Sequence, residues 1–238
     1  MESGSLNLGW VSFASLPSRW NLAVLGGRRP DPSWLKLAAS GAEKVWAADA
    51  GVAYALAAGI ESHRAIGDFD SLKDPQSIEW LAGHPERAAR FPVEKDLTDF
   101  QIVLEEIPPD LPLVVTGFWG GRFDHLYCNV FSLMGWQGSE AVRVACDERE
   151  CMALLGPRGS LTVSFDGEPA AVSLLALTEQ VSGVRTDGLY WTPQPELKMT
   201  FPYTVSNKTT GRPFRVSLES GWLGVYLCSR ENALVSDR

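Results

Sequence analysis

KVWAADAGVAYALAAGIESHRAIGDFDS, residues 44–71, decides the fold class. Its opening KVWAAD and its later HRAIG read as short buried strands, the first ending at Asp49 and the second at Asp68 and Asp70. Between them VAYALAAGI has the length of a short amphipathic helix, and Gly59 stands where a helix stops. A strand, a helix and a second strand in this order make a parallel crossover unit. Working outward, NLAVLGG (21–27), LPLVVTGF (111–118) and AVRVAC (141–146) read as further strands. PSWLKLAASG, PQSIEWLAGHPER, TDFQIVLEEI and RFDHLYCNVFSLMGW read as the intervening helices, with Pro32 at a helix start and Gly41 at its end. The expectation over residues 20–146 is an α/β domain, a mostly parallel sheet with helices on both faces.

After residue 150 the rhythm changes. CMALLG, GSLTVSF, AAVSLLAL, VSGVRTDGLYW, LKMTFPYTVSN, FRVSLES and GWLGVYLCS are β-rich runs separated by Gly, Pro, Asp and Asn. They predict a second, all-β domain over 150–238, an antiparallel sandwich or barrel, with the boundary at DERE, residues 147–150.

The 238 residues are 45% hydrophobic and 21% charged, enough to fill a core and to exclude wholesale disorder. A formal charge of −8 argues against nucleic acid or anionic lipid as the main partner, since both need a basic surface. No apolar run approaches the roughly 20 residues that span a bilayer. The first twenty residues lack a basic opening and an apolar core, so no signal peptide is expected. Cys128, Cys146, Cys151 and Cys228 form no CxxC pair, and they read as reduced, buried residues of a cytoplasmic protein.

In an open parallel sheet, ligands bind beyond the carboxyl ends of the strands, and the acidic residues fall there. Asp49 ends one strand. Asp68 and Asp70, two apart in an extended segment, would face one side with Phe69 turned into the core. Two carboxylates on one edge suit Mg²⁺, which completes its shell with water and phosphate oxygens. The same DxDS pattern also reads as a turn that caps the next helix. In EKDLTDF (94–100), Thr98 or Asp96 can cap a helix with Asp99 in its first turn, and Lys95 offers a cation to a phosphate. In GFWGGRFDHLYCN (117–129), Gly120 and Gly121 open a helix where backbone N–H groups gather for an anion. Arg122 can fork onto phosphate oxygens, with Asp124 and His125 at the helix start. There is no P-loop and no GxGxxG fingerprint.

Taken in order, Gly26-Gly27, AADAG (47–51), GDFDS (67–71), KDLTD (95–99), GGRFDH (120–125) with Asn129, and Ser206-Asn207 resemble the motifs of the thiamin pyrophosphokinase family. The resemblance extends over about residues 20–230. It implies a Rossmann-like catalytic domain, a C-terminal β-sandwich, and a homodimer with active sites between subunits. It also implies transfer of the pyrophosphoryl group of ATP to the thiamine hydroxyl, giving thiamine diphosphate and AMP. On that reading Asp68, Asp70 and Asp99 hold Mg²⁺. Asp49, Lys95, Asp96, Arg122 and Asp124 serve the chemistry, and Gly26, Gly27, Ser71, Thr98, Gly120, Gly121 and His125 join Arg122 in contacting ATP. Ser206, Asn207 and Trp222 face thiamine, Trp222 as a stacking surface. Trp119, bulkier than the family's usual residue, is expected to crowd the phosphate loop. The alternatives are a pyrophosphokinase for another alcohol such as a hydroxymethylpterin, a metal-dependent phosphohydrolase, and a non-catalytic binder of thiamine diphosphate.

Overall fold

The computed structural model describes residues 4–14, 16–70, 72–92, 96–138 and 142–230. The chain divides into two units, Arg19–Ser139 and a second made of Met1–Ser18 with Glu140–Arg238. β1 (Ser5–Asn7) and β2 (Val11–Ala14) open the chain and belong to the second unit. The first unit runs β3 (Trp20–Val24), α1 (Pro32–Ser40), β4 (Ala42–Ala48), α2 (Gly51–Ala57), β5 (Arg64–Gly67), α3 (Pro75–Gly83), β6 (Ala88–Arg90), α4 (Asp99–Glu106), β7 (Leu113–Thr116) and α5 (Phe123–Gly135).

Among the described residues the five strands of this unit are parallel, in the order β7-β3-β4-β5-β6. Every residue of β3 and β7 is buried, as a strand covered on both faces requires. Its helices begin where short polar side chains satisfy the first free N–H groups. The Asp31 carboxylate accepts from the Ser33 and Trp34 N–H groups at 2.9 and 3.0 Å, with Pro32 preset for the first turn. Asp74 does the same for Ser77 in front of α3. α1 packs on α2 and α2 on α3, whereas α4 packs on α5. From β3 to β6 the strands step one way across the sheet, and β7 returns to the far side of β3. The carboxyl ends of β3 and β7 therefore flank the switch point where a parallel sheet leaves a crevice.

The second unit continues with β8 (Val142–Cys146), β9 (Glu150–Leu155), β10 (Ser160–Phe165), β11 (Ala171–Ala176), β12 (Gln180–Ser182), β13 (Arg185–Asp187), β14 (Glu196–Lys198), β15 (Phe214–Ser217) and β16 (Leu223–Cys228). Its ladders are antiparallel: β1-β2-β10-β15-β13, β8-β9-β16-β11 and β12-β14. Leu161, Val163, Phe214 and Val216 alternate inward with exposed or half-buried neighbours. The molecule is thus α/β plus β-rich. Among the described residues no helix is long and apolar enough to cross a membrane.

The division falls after Ser18 and after Ser139, not at 146–150. AVRVAC, read as the last strand of the α/β domain, pairs antiparallel with β9, and DERE is the turn between them. The Asp147 carboxylate accepts the N–H groups of Arg149 and Glu150 at 2.8 and 2.9 Å, which closes that turn. LKMTFPYTVSN supplies strand only as far as Lys198. β1, β2 and β6 carry no sequence pattern strong enough to anticipate.

Candidate functional site

Three strand ends meet closely at the crevice. After β3, the Gly27 N–H donates to the Gly117 carbonyl at 2.9 Å, and the Tyr54 hydroxyl donates to the Gly27 carbonyl at 3.0 Å. Gly117 follows β7 with φ +63°, and a Cβ there would stand 2.0 Å from the Leu25 carbonyl oxygen. Only glycine meets both demands. The resulting cavity of about 550 Å³ brings together Gly26, Gly27, Asp49, Asp68, Thr98, Asp99, Gly120, Gly121, Arg122 and His125.

Asp49 is the most perturbed of the cavity's carboxyl groups. It leaves β4 in a left-handed conformation, φ +45°, with its N–H donating to the Ile66 carbonyl at 3.0 Å. Its Oδ1 is buried and has no hydrogen-bond partner among the described residues. Burial, then a hydrogen bond with Asp99 and the charges of Asp99 and Asp68, push its pKa up to about 7. A group of carboxylates that resists its own charge has the electrostatics of a cation site.

Asp68 and Asp70 depart from the extended geometry expected of them. Phe69 adopts φ +59°, which breaks the strand alternation, and its ring is buried in a cluster with Val52, Trp80 and Leu81. The Asp68 carboxylate turns back to accept the Asp70 N–H at 3.0 Å. Asp70 is exposed and does not line the cavity. Asp68, Asp70 and Asp99 are therefore not gathered as a set; Asp49 stands with Asp68 and Asp99 instead. Among the described residues no group of three or more His, Cys, Asp or Glu side chains forms a ready metal cage. Mg²⁺ usually takes only one or two protein carboxylates, so the donors present still fit it.

At α4, Thr98 rather than Asp96 provides the cap. Its hydroxyl accepts the Gln101 N–H at 3.2 Å while the Gln101 side chain accepts the Thr98 N–H at 2.9 Å, a complete capping box. Asp99 thereby sits in the first turn, and Asp96 is exposed away from the cavity. Lys95 and Ser71 lie outside the described residues.

Gly120 and Gly121, at φ +77° and +71°, lead into α5. Arg122 precedes that helix and forks onto the Asp124 carboxylate, its Nε donating to Oδ1 at 3.1 Å and its Nη2 to Oδ2. This pairing holds the Asp124 carboxyl below its ordinary range. Asp124 thus neutralises Arg122 rather than lining the cavity. Trp119 is buried, edge-on to Phe118 at 5.1 Å, and its side chain does not line the cavity.

In the second unit, Asn207 is buried and committed. Its Oδ1 accepts the Trp191 and Lys208 N–H groups and its Nδ2 donates to the Trp191 carbonyl at 2.7 Å. Ser206 is exposed at φ +57°, its N–H donating to the Ser173 hydroxyl at 3.1 Å. Trp222 already carries the Arg143 guanidinium over its ring, 4.7 Å from the centroid. Gly156 also packs close to that ring, which a Cβ there would approach to 3.1 Å.

Asn129, one helical turn beyond His125, also lines the cavity, and that i, i+4 spacing was the available signal. Tyr54, which braces the glycine loop, and Arg90, over the Phe69 ring at 5.2 Å, lack any such signal.

Residues 35–145 match the family model described as the thiamin pyrophosphokinase catalytic domain. Thiamine pyrophosphokinase of Bacillus subtilis (strain 168) is 26% identical over 144 residues, which span 59% of this chain and 65% of that protein. The crystal structure of thiamine pyrophosphokinase from Bacillus subtilis superposes with a TM-score of 0.74 at 20% identity, covering 89% of this chain and 99% of that one. That of thiamin pyrophosphokinase from Candida albicans gives 0.69 at 17%, covering 90% and 94%. At these identities the superpositions establish the shared fold.

Proposed function

We propose, from the match of residues 35–145 to the thiamin pyrophosphokinase catalytic domain, that this chain moves the pyrophosphoryl group of ATP onto the hydroxyl of thiamine, releasing AMP. The observation that carries the reading is the meeting of Asp49, Asp68 and Asp99 with the Gly120-Gly121 loop in one cavity at the sheet's switch point. We read the first unit as Rossmann-like and the second as a sandwich, which the strand order and the two larger antiparallel ladders support.

Asp68 and Asp99, with Asp49 beside them, would hold Mg²⁺, whose charge offsets that of the triphosphate. The unpartnered Asp49 oxygen is the feature that fits it. Backbone N–H groups at Gly120 and Gly121 face the phosphates, and Arg122 exchanges Asp124 for a phosphate oxygen as substrate enters. Gly26 and Gly27 let the nucleotide approach the end of β3, Thr98 fixes Asp99 through its cap, and His125 positions a phosphate. Lys95 in KDLTD and Ser71 in GDFDS are assigned to phosphate by the family resemblance of their motifs. Positioning and charge stabilisation supply most of phosphoryl transfer, so these roles suffice without a dedicated base. Ser206 and Trp222 contact thiamine, and Asn207 shapes that surface by fixing Trp191. The working form is a cytoplasmic homodimer with each site completed by both chains.

Purified chain given Mg-ATP and thiamine should yield AMP and thiamine diphosphate in equal amounts. Formation of ADP, or AMP release that does not need thiamine, overturns the reading. Turnover with a hydroxymethylpterin in place of thiamine would reassign the acceptor.

A further inference from the structure

Cys146 ends β8 and Cys151 stands second in β9, directly opposite it in the hairpin. Just beyond them, the Asp147 N–H donates to the Glu150 carbonyl at 3.0 Å, which makes that pair a hydrogen-bonded one. Pairs alternate along an antiparallel ladder, so Cys146 and Cys151 occupy a non-hydrogen-bonded position. The other side of β9 agrees. The Ser229 N–H donates to the Arg149 carbonyl at 2.8 Å, and two residues on, the backbone groups of Cys151 turn toward β16 and away from β8. Residues in a non-hydrogen-bonded pair have Cα atoms about 4.5 Å apart and side chains on one face. That falls within the Cα separation of about 4.4–6.8 Å that disulfides adopt.

Both cysteines are free and fully buried. The Cys146 thiol donates to the Asp147 carbonyl at 3.4 Å, and burial, then its neighbour Cys151, hold it well above its ordinary range. Cys128 is on α5 in the first unit, and Cys228 opposes Glu150 rather than either cysteine.

We propose that Cys146 and Cys151 are a redox pair that closes into a cross-strand disulfide. A small-molecule disulfide, RSSR, is the oxidant. One cysteine thiolate attacks it, forming a mixed disulfide and releasing RSH; the second thiolate attacks the bound cysteine sulfur and releases the other RSH. The two cysteines lose two electrons and two protons, and RSSR becomes two thiols. Burial and the neighbouring Asp147 and Glu148 charges disfavour thiolate in the closed hairpin. The exchange therefore proceeds while the DERE turn is open, during folding or local unfolding, and the same burial then shields the bond from reductant. This pair is independent of the proposed transferase chemistry.

Trypsin cuts after Arg143, Arg149 and Arg158, which places the two cysteines on separate peptides, 144–149 and 150–158. The full chain is incubated with oxidised glutathione, both folded and during refolding from urea, then alkylated and digested without reduction. The expected product is the two peptides joined, two hydrogens lighter than their sum, absent after reduction and absent in Cys151→Ser. Separate alkylated or singly glutathionylated peptides after oxidative refolding would overturn the proposal, as would a link to Cys128 or Cys228. Because refolding exposes both thiols, lack of access cannot hide a negative result.

Discussion

Asp49 titrates in the folded chain near 7 against 3.8 for a free aspartate. Between those values the folded state keeps a proton that the unfolded chain has released. Stability from this residue is therefore present below about pH 4 and lost as pH rises to 7. Asp49→Asn removes the effect. In metal-free buffer the variant should exceed the parent by about 2 kcal/mol at pH 8, a value reduced because Asp49 keeps some solvent contact. The gain should vanish by pH 4, and urea titrations at the two pH values read it directly. Added Mg²⁺ should stabilise the parent more than the variant. Asp99→Asn should stay folded and lose turnover by about 100-fold, the scale of one lost electrostatic stabiliser. At this scale the aspartates were legible as an acidic edge, because strand ends can be read from β-like runs. Their side-chain directions were not. Phe69 takes a left-handed backbone that bulky residues rarely adopt, held by burial against Trp80 and Leu81. Asn207, read as a substrate contact, spends its amide on the Trp191 backbone, a partner sixteen residues away that no local pattern predicts.

The elements that carry the site depend on small local devices. Thr98→Ala removes half of the capping box on α4 and should cost about 1 kcal/mol, with Thr98→Ser restoring most of it in a denaturant titration. Gly117→Ala asks alanine to hold φ +63° with its Cβ 2.0 Å from the Leu25 carbonyl oxygen. It should destabilise the chain by about 3 kcal/mol or more, visible as a lowered melting temperature. The helices of the first unit were readable because Asp31-Pro32, Asp74-Pro75 and Thr98 announce their starts. β6 was not, since Ala88-Ala89-Arg90 has too few residues to show alternation. β8 was read as a strand, and its antiparallel pairing with β9 goes with the second unit. A buried strand looks the same in a parallel and an antiparallel sheet until its partner is known.

At the scale of the whole molecule, residues 1–146 hold 12 Lys+Arg and 18 Asp+Glu, and six of those carboxylates are the motif aspartates. Only Asp49, Asp68 and Asp99 of the six line the cavity where a cation and a triphosphate are proposed to bind; Asp70 and Asp96 face solvent, and Asp124 is spent on Arg122. The second unit draws on both ends of the chain. Leu6, Leu8, Val11 and Phe13 are fully buried, and β2 supplies the ladder on one side of β10. Deleting residues 1–18 should leave β10 as an exposed edge and drive aggregation, measurable by light scattering.

That pairing also sets a timetable. β2 leaves the ribosome early, yet its partner β10 begins at Ser160. At about 5–20 residues per second, the apolar VSFA stretch waits several seconds in the cell while the contiguous segment Arg19–Ser139 is made and folds. VSFA is made long before its partner and pairs late, and in that interval a chaperone has its clearest opportunity to bind.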